Sequence, residues 1–220
     1  MIPVNEVFET IQGEAHWTGT PAVFVRLQGC AVGCPWCDTK HTWELRPEYE
    51  IPVEQMFDKI DDAQTFAIVD DDELALQIAT RFSSMHVVIT GGEPCQYDLG
   101  RLSSALIAAG YEVQVETSGT EEIRIHPRAW VTLSPKYGMP GGKGILRSAF
   151  DRANEIKLPV GSPRDIARFE TETAMMPIHP GKVWLQPLSQ SEKATGLCIL
   201  AARDRGWRVS LQTHKFINAR

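Results

Sequence analysis

The chain has 220 residues, 43% apolar and 23% charged, and its 22 Lys and Arg against 28 Asp and Glu leave a formal charge of −6. That composition suits one globular domain spanning 1–220 with a sizeable core, and it excludes disordered, collagen-like and strongly basic nucleic-acid-binding classes. No stretch approaches 18 consecutive apolar residues and the start MIPVNEVFETIQGEA lacks a basic n-region and an apolar h-region, so a soluble cytoplasmic protein with no membrane partner is expected.

In chain order, runs rich in Val, Ile, Leu or Trp predict strands at 22–27, 86–90, 111–116, 130–133, 155–158, 183–186 and 207–212. Helical periods lie between them. Leu74, Ile78 and Phe82 recur behind a cap region at Asp70, Asp71 and Asp72; Leu99, Leu102, Leu106 and Ala109 form a second stripe that Gly110 stops. Ser189 with Glu192 predicts a capping box for a helix that buries Ala194, Leu197 and Ala201 and ends near Gly206. Strands alternating with helices imply a mainly parallel sheet whose ligands gather at the carboxyl ends of the strands. Four unusual loops fall there: the one after 22–27 holding three cysteines, Gly91-Gly92-Glu93-Pro94, Thr117-Ser118-Gly119-Thr120 and Ser134-Pro135-Lys136. In the run 111–116, Glu112, Gln114 and Glu116 alternate with Tyr111, Val113 and Val115, so the polar face is expected to line a wet cavity.

Of five cysteines, Cys30, Cys34 and Cys37 lie within eight residues, beside Gly29 and Gly33, while Cys95 and Cys198 stand apart. An odd, clustered set is no disulfide framework. Structural zinc needs four N or S ligands, with His41 as the nearest candidate fourth, and a CxxC redox pair leaves Cys30 without a task. An iron–sulfur cubane held by three thiolates keeps one iron open to a small molecule.

The segment Cys30-Ala31-Val32-Gly33-Cys34-Pro35-Trp36-Cys37, with an aromatic before its last Cys, resembles the radical S-adenosylmethionine superfamily, and Thr90-Gly91-Gly92-Glu93-Pro94 is similar to its GGEP segment. Within it, Ile11-Gln12-Gly13-Glu14, Cys37-Asp38-Thr39, Glu116-Thr117-Ser118-Gly119-Thr120, Ser134-Pro135-Lys136 and Gln212-Thr213-His214-Lys215 resemble the 7-carboxy-7-deazaguanine synthases. The short cysteine loop and Asp38–Trp43 (DTKHTW) resemble the enterobacterial type, and the resemblance runs from about Asn5 to Asn218.

The resemblance implies an incomplete (β/α) barrel, a [4Fe–4S] cluster on Cys30, Cys34 and Cys37, S-adenosylmethionine and Mg²⁺. It implies contraction of 6-carboxy-5,6,7,8-tetrahydropterin to 7-carboxy-7-deazaguanine with loss of ammonia, in queuosine and deazapurine biosynthesis, with an external electron donor such as a flavodoxin and a homodimeric assembly. Carried over residue by residue, Trp36, Asp38, Gly92, Glu93, Ser134, Pro135, Lys136 and Gln186 would hold S-adenosylmethionine. Ile11, Gln12, Gly13, Glu14, Arg26, Thr90, Glu116 and His214 would hold substrate, and Thr39 would bind the magnesium. The residue chemistry agrees. A carboxylate such as Glu116 can meet the guanidine-like donor edge of a pterin with paired hydrogen bonds, Arg26 suits its carboxyl group, and the hard oxygen of Thr39 suits Mg²⁺ better than iron.

Other motifs read as structural. Cys198 falls on the apolar stripe of its helix, Cys95 follows Pro94 into the interior, and the acidic run from Asp70 answers a helix dipole with solvent on its face. Lys143 lies in a Gly-rich run, but Gly144 stands where a phosphate loop needs Ser or Thr, so no NTP site is expected. Ala15 stands where the family usually has Gly, and an ordinary φ is expected there. Two rivals remain at this stage: a glycyl-radical activating enzyme, and a zinc-binding module using His41.

Overall fold

The chain opens with a ten-residue strand, β1 (Ile2–Ile11), that the apolar runs do not announce. The computed structural model describes residues 1–219 and shows why: the ladder slips between Val4 and Glu6, which breaks the alternation that a strand signal rests on. At the slip, buried Asn5 donates to Gln28 Oε1 at 2.7 Å and accepts from Lys59 Nζ at 2.9 Å. β1 pairs antiparallel with β2 (Pro21–Leu27) on one side and β3 (Ala67–Val69) on the other. β4 (His86–Gly91), β5 (Glu112–Thr117), β6 (Trp130–Leu133), β7 (Glu155–Val160), β8 (Val183–Pro187) and β9 (Arg208–Val209) follow β2 in parallel. The order is β3-β1-β2-β4-β5-β6-β7-β8-β9, an open α/β sheet that is mostly parallel, as the alternation of runs predicts.

Helices cross over between the strands: α1 (Val53–Phe57), α2 (Asp71–Arg81), α3 (Gly100–Ala108), α4 (Arg147–Arg152), α5 (Pro163–Thr173) and α6 (Glu192–Arg205), with a last turn α7 (Thr213–Phe216). Asp70 caps α2 by accepting from Asp72 N at 3.0 Å. Its neighbour Asp71 is buried and pairs with the N-terminal ammonium at 2.9 Å, so solvent does not take that whole face. α6 begins at Glu192 with Ser191 as its cap; Ser189, the expected cap, sits in the preceding turn at φ 53°. The capping box belongs instead to α5, where Asp165 accepts from Ser162 N at 2.7 Å. The last expected strand shrinks to two residues because Ser210 turns inward to bond Gln186 and Ala15.

On the convex side, Val87, Ile89, Val113, Val115 and Val131 pack against Leu74, Ile78, Leu102 and Leu106. Leu133, Ile156, Leu158 and Leu185 pack against Ile166, Phe169 and Cys198, so Cys198 is core as expected. Each such side chain contributes roughly 2 kcal/mol by leaving water. The concave side is polar: His86, Gln114, Thr132, Glu155 and Lys157 are all buried. The segment after β1 crosses this side, with Gln12 reaching Gln114 on β5 and Glu14 reaching Lys157 on β7. Ala15, on that crossing, takes φ 53°, which overturns the expectation of an ordinary φ: its N–H donates to Ser210 Oγ at 2.9 Å, which ties the turn to the far side of the sheet. Among the described residues no helix is long and apolar enough to span a membrane.

Candidate active site

The four loops at the carboxyl ends of β2, β4, β5 and β6 surround one cavity of about 580 Å³. The cysteine loop forms one wall. Its base is pinned by backbone bonds, Gly29 N to Thr42 O at 2.6 Å and Cys30 N to Trp43 O at 3.0 Å, and its turn by Cys37 N to Cys34 O at 3.0 Å. Gly92 packs so tightly under this base that a Cβ would strike the Gly29 carbonyl, while Gly92 N donates to Leu27 O at 3.0 Å. Close approach of two backbones therefore requires glycine there. The Gly-rich run after Lys136 braces the same loop through Gly141 N to Val32 O at 3.1 Å, and Lys143 pairs with Glu121, not with a phosphate site.

Cys30, Cys34 and Cys37 all line the cavity, and burial raises the pKa of Cys30 and Cys34, with the Lys136 cation opposing the shift at Cys34. The three thiols are not gathered as ligands of one ion; among the described residues no three His, Cys, Asp or Glu side chains are arranged for that. Cys30 and Cys37 raise the pKa of Cys34, and Cys37 that of Cys30, so the three sulfurs face one another across the lining; an all-thiolate set of three suits an iron–sulfur cubane, and His41 lies outside the lining. Thr39 Oγ1, 3.5 Å from Cys37 Sγ, also faces the cavity, beside Trp36 and Asp38.

The opposite wall is built by the polar face of the sheet, whose side chains hydrogen-bond one another. Lys157, 4% exposed, bonds Glu116 Oε2 at 2.5 Å and also pairs with Glu14. Glu116 Oε1 accepts from Gln114 at 3.2 Å and Gln12 at 3.4 Å. Glu14 Oε1 accepts from Gln212 at 2.8 Å and Gln186 at 3.2 Å. Burial alone would raise the pKa of Glu14, but Lys157 and these donors outweigh it and hold the group at about 2; burial pushes Glu116 up against the same lysine's pull. Burial also opposes the charge of Lys157, yet the two carboxylates overcome it and keep the ammonium protonated. Both oxygens of Glu116 are engaged, so a ligand edge meeting them shares them with Lys157 and Gln12.

Around the rim, Arg26 Nε bonds Glu6 at 2.6 Å with its guanidinium over Phe8, and Lys136 donates to Ser134 Oγ at 2.6 Å. Burial lowers the pKa of Lys136. Glu93 is 3% exposed and accepts from Cys95 N at 3.0 Å, Thr117 Oγ1 at 2.6 Å, Ser118 N at 2.8 Å and Ser118 Oγ at 2.5 Å. Its carboxylate thus ties the GGEP segment to the Thr117 loop as well as facing the cavity. Ile11, Thr90, Gln186 and His214 line the cavity; His214 has its pKa lowered, first by burial. Gly13 and Pro135 do not line it. Gly13 anchors α7 through its carbonyl, which accepts from Thr213 N at 2.9 Å, and Pro135 is buried between Ser134 and Lys136.

Sequence reading passes over Lys157, Phe8 and Phe24 and gives no role to Gln212 and Lys215 of the terminal motif; all five line the cavity. Lys157 carried a signal: in Glu155-Ile156-Lys157-Leu158 the polar residues alternate as they do in β5. Lys215 closes α7 onto the cysteine loop at 3.5 Å from Asp38.

An open, mostly parallel sheet with a three-cysteine loop and a polar cavity on its carboxyl rim defines an α/β enzyme of the radical S-adenosylmethionine type. No family model matches the chain. The chain is 47% identical over 218 residues to the 7-carboxy-7-deazaguanine synthase of Escherichia coli (strain K12), with 98% of each covered. It is 41% identical over 222 residues to that of Buchnera aphidicola, with 99% of each covered. The crystal structure of QueE from Escherichia coli superposes with a TM-score of 0.90 at 45% identity, covering 96% of this chain and 93% of that one. The chain belongs to the 7-carboxy-7-deazaguanine synthase family.

Proposed function

We propose that this enzyme contracts 6-carboxy-5,6,7,8-tetrahydropterin to 7-carboxy-7-deazaguanine with loss of ammonia, in the biosynthesis of queuosine and other deazapurines. The observation that carries the reading is one cavity with three thiols on one wall and a Glu116–Lys157–Glu14 charge set on the other. Cys30, Cys34 and Cys37 would hold a [4Fe–4S] cluster; Trp36, Asp38, Gly92, Glu93, Ser134, Pro135, Lys136 and Gln186 would surround S-adenosylmethionine; Thr39 would bind Mg²⁺. Bound together, the cluster and S-adenosylmethionine supply hydrogen-atom abstraction at the substrate.

The chain's own residues position, orient and exclude water. Glu116 offers carboxylate acceptors and Gln12 an amide to the pterin's amino-pyrimidine edge, and Glu14 is held ionised beside them by Lys157. Arg26, directed by Glu6, meets the substrate carboxylate, whose charge Mg²⁺ on Thr39 would also balance. Ile11, Thr90 and His214 complete this side, Gly13 supports it from behind by anchoring α7, and α7 covers it through Lys215 and Asp38. An external one-electron donor such as a flavodoxin, a homodimeric assembly and a cytoplasmic setting belong to the same proposal.

The test is anaerobic reconstitution with iron and sulfide, then incubation with the pterin, S-adenosylmethionine, Mg²⁺ and reductant. Mass spectrometry is expected to show a product lighter than the pterin by the mass of one ammonia molecule, with that ammonia released. A brown enzyme that leaves this pterin untouched overturns the substrate assignment.

A further inference from the structure

Gln114 lies on β5 one turn of the pleat below Glu116, is fully buried, and does not itself line the cavity. All of its hydrogen-bonding capacity is used. Its Nε2 donates to Glu116 Oε1 at 3.2 Å and Thr132 Oγ1 at 3.0 Å; its Oε1 accepts from Gln12 Nε2 at 3.4 Å and faces His86 Nε2 at 2.9 Å. Two acceptor-only carboxylates fix the polarity of this network. Thr132 gives its hydroxyl proton to Glu155 Oε1 at 2.8 Å, so it can only accept from Gln114. Reversing the Gln114 amide would set its oxygen against Glu116 and Thr132, two lone-pair clashes in a dry interior.

The order propagates outward. With Gln114 Oε1 facing them, Gln12 and His86 must both donate, which places a proton on His86 Nε2 and leaves Nδ1 bare; Nδ1 is buried with no partner among the described residues. Gln12 shares this polarity: its Nε2 points to Gln114 and Glu116, each at 3.4 Å, and its Oε1 accepts from Glu14 N at 3.0 Å, so Gln114 and the Glu14 backbone hold the amide from opposite ends.

We propose that Gln114 is a positioning residue that, with the Glu14 backbone, sets the amide orientation of Gln12 and itself sets the rotamer of Glu116, and so determines which donor–acceptor edge the substrate wall recognises. This rests on the reading of Gln12 and Glu116 as pterin contacts. Gln114 touches neither the cysteine loop nor the S-adenosylmethionine side, so its effect falls on one ligand.

Two variants of the reconstituted holoenzyme test it, each first checked for iron content and thermal midpoint. Gln114→Glu keeps the volume but turns the Nε2 donor into an oxygen; only its protonated form can donate to Glu116. The expected result is a pterin KM raised about tenfold or more at pH 8 and partly restored toward pH 6, where wild type shows no such recovery, with S-adenosylmethionine affinity changed less than threefold. Gln114→Leu is expected to raise KM at every pH without recovery. Wild-type pterin KM in Gln114→Leu, or equal losses for both ligands in Gln114→Glu, overturns the proposal. If wild type itself ignores the pterin, the substrate reading fails instead, and side-chain ¹⁵N shifts decide the network alone: an Nε2–H tautomer at His86 in wild type and its loss in Gln114→Leu support it, and an Nδ1–H tautomer in wild type overturns it.

Discussion

The two walls of the cavity are finished to different degrees. On the sheet wall, Lys157, Glu14, Glu116, Gln12 and Gln114 satisfy one another through hydrogen bonds, so each side chain's geometry is set by the others. On the loop wall the backbone is pinned at Gly29, Cys30 and Gly92, and the three thiols make only weak local contacts, Cys30 Sγ with Val32 N and Cys37 Sγ with Thr39 Oγ1, each at 3.5 Å. The sheet wall is thus held together side chain to side chain, whereas the loop wall is held chiefly through its backbone.

That contrast breaks first at the cysteines. Cys34→Ala is expected to abolish cluster loading and turnover while the sheet stays folded, because the loop wall contributes little to the core; iron and sulfide content beside a thermal melt check this. The sheet wall should behave in the opposite way. Lys157→Met leaves two buried carboxylates unpaired and is expected to cost roughly 3 kcal/mol or more of stability, since removing one partner of a buried pair strands the charge of the other. Cluster loading should survive in whatever fraction folds, and denaturant titration with iron analysis separates the two effects.

Acid sharpens the same distinction. The folded-state pKa of Glu14 lies below its unfolded value, so Glu14 stabilises the native state above the ordinary carboxylate range and that contribution fades as pH falls toward 2. Glu116, pushed upward by burial, changes with the opposite sign. Glu14→Gln is therefore expected to flatten the acid limb of a stability–pH curve, and an unchanged limb would contradict the lysine's hold on Glu14.

Thr39→Ala probes the loop wall more gently: the cluster is expected to load normally while stimulation of turnover by Mg²⁺ disappears, read as activity against metal concentration. The smallest effect belongs to Ala15. A left-handed φ costs an L-residue roughly 1–2 kcal/mol, and glycine returns part of that gain as unfolded-chain entropy, so Ala15→Gly should stabilise by under about 1 kcal/mol. A lower melting temperature in that variant would show that the methyl group packs usefully despite the strain.

Local chemistry was legible where one segment carries it. The spacing of Cys30, Cys34 and Cys37, the glycines at 91 and 92, and the alternation in β5 each report on a single loop or strand, and each strand from β2 to β8 on the parallel side is seen in its apolar run apart from the short β3. β1 escapes because its slip at Asn5 hides the period, and Ser189 matches the capping-box spacing to Glu192 although the helix starts two residues later, where Ser191 accepts from Ala194 N with no Glu or Gln to complete a box. Lys157 escaped for another reason: nothing near it in sequence says that two carboxylates from distant segments will face it.

By itself, the order of residues determined the class of fold, the thiol loop and the rim on which ligands gather, because periodicity and ligand spacing are properties of short stretches. Only the folded chain decided that Glu14 and Glu116, a hundred residues apart, share one lysine, that Gln114 and the Glu14 backbone between them fix how Gln12 is turned, and that Ala15 accepts strain to carry Glu14 across the sheet. Charges and amide orientations are settled by what burial brings within hydrogen-bond reach, and that distance is a property of the whole curve of the sheet.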